Sequence, residues 1–166
     1  MIQPRSRQEA IELLKEKIED VRVAMLTTIT RQGPLRSVPM QTSEVDDEGS
    51  LWFFTGESSD KIQEIRQNPL VCLTYANPEK NVYVSVQGTA QQVNDRSKKE
   101  QLYTPVIRAW FQGGVDDPDL TLLKVNIAEA EYWEGSSSKL VVGFNLLKAI
   151  VTGQEYDEGE HGAVSL

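Results

Sequence analysis

The sequence is poor in the residues on which catalytic side-chain sets, disulfide scaffolds and metal sites depend. Cys72 is the only cysteine among 166 residues, so no internal disulfide can form, a usage that suits the cytoplasm. His161 is the only histidine and stands near the end of the chain, which argues against a Ser-His-Asp or Cys-His catalytic set and leaves a structural zinc site short of ligands. No G-x-G-x-x-G follows a strand pattern and no P-loop is present, so the usual dinucleotide and nucleoside-triphosphate folds lack support. The longest uncharged apolar stretch, Leu140 to Leu147, is too short to span a bilayer, and the residues after Met1 do not read as a signal peptide. A net charge of −8 with no basic face argues against nucleic acid and against anionic membranes as partners. A small anionic ligand stays open, because two or three local cations decide that question.

What is present describes an ordinary globular chain. Hydrophobic residues make up 39% and charged residues 25%, enough for one domain over residues 1–166 with a real core. Ser6-Arg-Gln-Glu9 is a capping box opening a helix with Ile11, Leu14 and Ile18 on one face. Strand patterns run from Val23 to Thr30, Leu35 to Ser43, Leu51 to Thr55, Leu70 to Tyr75, Val82 to Val93 and Leu122 to Glu134, most of them joined by turn chemistry. Ser58 or Ser59 caps a short helix that Asn68-Pro69 stops, and Asn94 or Asp95 caps a charged helix towards Tyr103. Pro105 to Phe111 reads as a helical turn, Gly143 to Thr152 as a short helix, and residues 154–166 as a mobile acidic tail. Short strands with tight turns, and helices between only some of them, point to a mostly antiparallel sheet closed as a barrel with flanking helices.

The informative stretch is Arg36 to Lys61. It begins Arg36-Ser-Val-Pro-Met40 on a strand, passes an acidic turn, and resumes as Leu51-Trp-Phe-Phe-Thr-Gly-Glu-Ser-Ser-Asp-Lys61. Arg36 and Lys61 each have the ordinary reading of an exposed charge. Their company favours another: Thr55 ends an aromatic strand, Ser59 stands at a helix start, and fixed cations, hydroxyls and helix N–H groups together are what phosphate recognition requires. With apolar surface beside them, the residues describe a site for a flat phosphorylated ligand, with flavin mononucleotide (FMN) the strongest candidate. Pro39 removes a ladder donor and so belongs at an edge or bulge, where an irregular backbone can meet a flavin's pyrimidine edge or simply end a sheet. Trp52, Phe53 and Phe54 must alternate faces, with at least one in the core. Trp110 and Trp133 sit among glycine and polar residues and read as packing, in the core or at a dimer contact, or as ligand contacts. Cys72, within Leu70-Val-Cys-Leu73, reads as a buried inert thiol. Asp116, Asp117 and Asp119 lack EF-hand spacing and read as Asp-Pro turn chemistry, so no metal is expected.

Three motifs carry a resemblance: Arg36-Ser-Val-Pro-Met40, Phe53-Phe-Thr-Gly-Glu-Ser-Ser-Asp-Lys61 with its continuation to Asn68-Pro69, and Glu131-Tyr-Trp-Glu-Gly135. Over about Val21 to Gly143 the chain resembles the pyridoxamine 5′-phosphate oxidase-like flavin-binding split barrels. Through Trp110-Phe-Gln-Gly-Gly-Val-Asp-Asp-Pro-Asp119 it resembles their general stress protein 26 group. The resemblance implies a six-stranded antiparallel Greek-key split barrel and a homodimer with FMN at the subunit interface. It implies that Arg36 and Lys61 hold the flavin phosphate with Thr55 and Ser59. Ser37, Val38 and Pro39 would line the ring through backbone groups, Phe54 would sit beside it, and Trp110 and Trp133 would approach from the partner subunit. Tyr83 aligns with a ring-contacting amide of the true oxidases.

One departure matters. Where true oxidases place an Arg and a His for the vitamin phosphate and a further Arg for flavin, this chain has Lys139, Val141 and Gly143. Val141 and Gly143 cannot donate to an anion, so pyridoxamine phosphate oxidation is not expected. The expectation is a cytoplasmic FMN-binding protein acting as a flavin-dependent oxidoreductase, with NAD(P)H as possible donor and no side chain standing out as acid or base. The alternatives are a flavin-binding stress-response or sensor module without turnover, and a dimeric binder of another planar ligand such as pyridoxal phosphate or haem.

Overall fold

The computed structural model describes residues 6–19, 21–135 and 160–165. Helix α1 (Arg7–Glu19) starts where the capping box places it, with the Glu9 N–H donating to Ser6 Oγ at 3.2 Å. Its buried stripe, Ala10, Ile11, Leu14 and Ile18, follows the 3.6-residue period, and Ala10, Leu14 and Ile18 join the main core. None of the described helices is long and apolar enough to cross a membrane.

The strands are β1 (Val23–Ile29), β2 (Leu35–Val45), β3 (Ser50–Gly56), β4 (Leu70–Asn77), β5 (Val82–Val93), β6 (Leu120–Glu134) and β7 (Glu160–Ser165). Between them lie α2 (Asp60–Gln67), α3 (Arg96–Leu102) and two 3-10 turns, Pro105–Ala109 and Gly114–Asp116. The first six strands close a barrel in the order β3-β2-β1-β4-β5-β6, with β6 returning to β3, and every pairing is antiparallel. The strand β4 leaves α2 and crosses back to lie beside β1, which is the Greek-key step. Period-two alternation fills the interior with Ala24, Leu26, Phe53, Leu73, Tyr75, Val84, Val86, Leu123 and Val125. Gly88 marks a register shift between β5 and β6: a Cβ there would lie 2.1 Å from the Asn126 carbonyl oxygen.

One expectation is corrected at the end of the chain. Residues 160–165 are not a loose tail; they form β7, paired with Glu129 to Glu134 of β6. The long β6 offers an unpaired edge there, and Gly162 lies where a Cβ would come 2.4 Å from the Tyr132 ring. His161 is therefore fixed in a strand, its ring stacked on Trp133 with centroids 5.1 Å apart. The short helix expected over Gly143 to Thr152, the substitutions at Lys139, Val141 and Gly143, and the acidic stretch before residue 160 lie outside the described residues.

Candidate functional site

The barrel splits between β2 and β3. Those strands pair only at Thr42 to Val45, through a register shift between Thr42 and Glu44, whereas β2 pairs β1 from Leu35 to Gln41. The Thr42 N–H donates to the Arg22 carbonyl on the β1 side. Because hydrogen-bonding direction alternates along a strand, the backbone polar groups of Ser37 and Pro39 point away from β1, to the side where β3 is not paired. Pro39 is thus tolerated inside the sheet order, as expected, because this half of β2 is locally an edge.

A cavity of about 430 Å³ opens beside the split, lined by Pro39, Met40, Gln41 and Ser43 of β2 and by Phe54, Thr55 and Gly56 of β3. Lys61 of α2, Val23 of β1 and the three residues Ile107, Trp110 and Phe111 also line it. Its volume falls within the range of small-molecule sites. The alternation along β3 explains its wall: Phe53 goes fully into the core, leaving Phe54 half-buried on the cavity side. Trp52 lies opposite the core as well, held by a bond from Nε1 to Asp46 at 2.8 Å and flanked by the ammonium groups of Lys98 and Lys124.

Lys61 is the charged group at this wall. Its Nζ donates to Thr55 Oγ1 at 3.1 Å, and no carboxylate among the described residues comes within ion-pair distance of it. Burial, and then the neighbouring Arg36 charge, push its pKa below the ordinary 10.5 despite Asp60 and Glu64. An ammonium has three donors, and here one neutral hydroxyl serves it. The adjacent α2 starts without a side-chain cap: Ser59 holds the N-cap position, but its hydroxyl donates instead to the Gly56 carbonyl at 2.7 Å. The first-turn N–H groups of α2 therefore add positive potential beside Lys61.

Arg36 stands next to Lys61 but does not line the cavity. Its Nη1 meets Asp60 Oδ2 at 3.0 Å and its Nη2 meets Glu64 Oε1 at 2.9 Å. Glu64 is buried and its other oxygen accepts from Thr28 Oγ1 at 2.7 Å. Reading the sequence missed these two carboxylates; Asp60 and Glu64 stand four residues apart on α2 and so share one helix face, but nothing in that spacing shows that the face meets Arg36 of β2.

The remaining expected residues divide. Lys61, Thr55, Phe54, Pro39 and Trp110 meet at the cavity, with Trp110 supplied by the same chain that holds Lys61 and 68% exposed. Ser37 is exposed next to it and shares a 2.6 Å hydrogen bond with Thr27, while Val38 faces inward, half-buried. Ser59 supports the turn rather than facing the cavity. Trp133 and Tyr83 lie away from it, directly opposite each other on β6 and β5. Cys72 is half-buried rather than buried, because its place in β4 turns it outward beside Thr27. The aspartates of the 113–119 loop are used locally: Asp116 pairs with Arg96, Asp117 accepts the Gly113 N–H and Asp119 accepts the Ser58 N–H.

Comparison with known proteins follows the geometry. The model of the "pyridoxamine 5′-phosphate oxidase like" family matches residues 9–157. The protein bli-3 of Neurospora crassa is 28% identical over 160 residues, covering 85% of this chain and 76% of that protein. A crystal structure described as a general stress protein 26 from Jannaschia sp. CCS1 superposes with a TM-score of 0.73 at 29% identity, covering 91% of this chain and 94% of that one. The general stress FMN/FAD binding protein of Xanthomonas citri gives 0.68 at 26% identity, over 78% and 92%.

Proposed function

The chain belongs to the pyridoxamine 5′-phosphate oxidase-like family, and on that footing we propose that it is a flavoprotein holding FMN in the cleft between β2 and β3. The observation that carries this reading is Lys61: a half-buried ammonium at a cavity wall, with a hydroxyl for company and no carboxylate among the described residues paired to it. Such a group is stabilised by an incoming anion, and a phosphate monoester supplies one. The residues fit the rest of the ligand. Phe54 and Trp110 offer apolar surface for a ring, and the backbone of Ser37 and Pro39 offers polar groups to its edge. The general stress FMN/FAD binding protein of Xanthomonas citri, by its description, supports the same ligand class.

Bound flavin would supply hydride or single-electron chemistry, which makes a flavin-dependent oxidoreductase with NAD(P)H as donor the leading activity. The protein's own part is to anchor the phosphate through Lys61 and Arg36, orient the ring against Phe54, and exclude water with the Ile107–Phe111 wall. Among the described residues the lining of the cavity includes no carboxylate and no histidine, and this favours a second reading in which the protein binds flavin as a stress-response module without turnover.

The site extends to a second copy of the chain. Val23, Met25, Leu35, Leu70, Tyr83 and Trp133 are exposed, and the strand register puts all six on the outward face of β2-β1-β4-β5-β6. Large apolar side chains exposed on one mixed face, among Ser37, Ser85, Glu129 and Glu131, favour association through it. Val23 belongs both to that face and to the cavity lining, so a homodimer through it would cover the flavin and bring Trp133 of one copy towards the other. The absorbance spectrum of purified protein tests the reading: flavin bands, bleached by anaerobic NADH or NADPH, are expected for the oxidoreductase. Flavin that stays oxidised supports the binding module, and protein that is colourless and takes up no added FMN refutes both.

A further inference from the structure

Arg36 is held by two carboxylates that differ in standing. Glu64 meets Nη2 at 2.9 Å from a side chain 7% exposed, and Thr28 fixes its second oxygen from the far side. Asp60 meets Nη1 at 3.0 Å from a side chain 79% exposed. Breaking the buried pair strands a charge away from water, whereas an exposed pair is close to neutral in energy and is screened by salt. Next to them, Lys61 keeps an unpaired charge. The two carboxylates of the cluster are thus both spent on Arg36, and an anion drawn by Lys61 can reach Arg36 only if one of them leaves. Asp60 is the one that water can receive.

We propose that Asp60 is a built-in competitor for the ligand's phosphate. It occupies Arg36 Nη1 in the free protein and yields that nitrogen to the phosphate, while Glu64 retains Nη2 and keeps the guanidinium aimed. Asp60 is then a specificity-determining residue, setting how much a phosphorylated ligand is preferred over its dephosphorylated form, and Glu64 is a positioning residue. This rests on the phosphate site proposed above. The exchange also explains why Arg36 stands beside the cavity without lining it: the nitrogen that would reach the ligand is tied back to the helix N-terminus. No covalent step is involved; one ion pair replaces another.

The test compares dissociation constants at low ionic strength for FMN, riboflavin and inorganic phosphate alone. The full chain carries Asp60→Asn or Glu64→Gln, with Asp47→Asn as a control for net charge. Asp47 is 91% exposed and pairs with Lys15, so it reports the general effect of removing one negative charge. Asp60→Asn is expected to tighten FMN and phosphate about three- to ten-fold and leave riboflavin unchanged, since a like charge is removed within Coulomb range of the anion. Glu64→Gln is expected to weaken FMN by a similar factor or more, again sparing riboflavin, a ratio that simple loss of packing would not move. Because Glu64 is buried and its variant can fail to fold, the surface variant Asp60→Asn decides alone. Unchanged or weaker FMN and phosphate binding in Asp60→Asn overturns the proposal, as does equal tightening of riboflavin or the same gain in Asp47→Asn. Failure of the flavin reading looks different: phosphate binds and responds to Asp60→Asn, but neither flavin is taken up. Absence of phosphate and FMN binding in both wild type and Asp60→Asn overturns the proposal together with the phosphate site.

Discussion

Replacing Lys61 by methionine separates binding from folding. The aliphatic stem keeps its packing, while the ammonium and its bond to Thr55 Oγ1 are lost. A charge-assisted hydrogen bond to a phosphate is worth about 1.5–3 kcal/mol, so FMN should bind about ten- to 150-fold more weakly. Riboflavin, which lacks the phosphate, should bind as before. Stability of the free protein should move the other way or stay level, because the native state no longer has to hold a half-buried charge with no anion. The pH dependence carries the same sign. The folded pKa of Lys61 lies below 10.5, so between those two values the unfolded chain binds more protons and wild-type stability rises with pH. Lys61→Met loses that rise. Fluorescence titration of both flavins, with thermal unfolding of the apo protein from pH 7 to 10, measures all three quantities. Undiminished FMN affinity, or riboflavin affinity reduced as much as that of FMN, would refute the assignment of Lys61 to the phosphate.

Three further outcomes are expected. Trp110→Ala removes a mostly exposed ring from the cavity wall, so stability should change by less than about 0.5 kcal/mol while flavin affinity falls, which titration and chemical denaturation together measure. Gly88→Ala drives a methyl group against the Asn126 carbonyl at the β5–β6 register shift and should destabilise by about 1–3 kcal/mol or more; an unaltered denaturation midpoint would show that the strands relax there. Leu35→Glu puts a charge on a side chain 71% exposed within the outward apolar face, leaving the monomer fold intact; light scattering should show a dimer becoming a monomer, and a dimer that persists would move the interface elsewhere.

Local chemistry made much of the barrel legible. The capping box at Ser6, the alternation of Val82, Val84 and Val86, the Asp46–Gly49 turn and the Asn68-Pro69 stop each act over a few residues, and each element forms where those signals place it. The last strand was hidden because its sequence, Glu160-His-Gly-Ala-Val-Ser165, has little alternation of its own; only the free edge of β6 and the space over Tyr132 give it a place. At the site, Lys61 and Thr55 were readable from residue type and spacing, because a helix start after an aromatic strand puts those groups near one another; Pro39 was readable from the ladder donor it lacks, and Phe54 only through the family resemblance.

What the sequence determined alone was therefore the first six strands and the helices between them, and the presence of cations, hydroxyls and aromatic surface in one stretch. Barrel closure decided the rest. It made β2 an edge over half its length, brought the Ile107–Phe111 segment to the same cavity as β3, and aimed Glu64 and Asp60 at Arg36 from a different element. Contacts between residues far apart in the chain depend on how the strands close, and no local pattern encodes the side chain that waits across the gap.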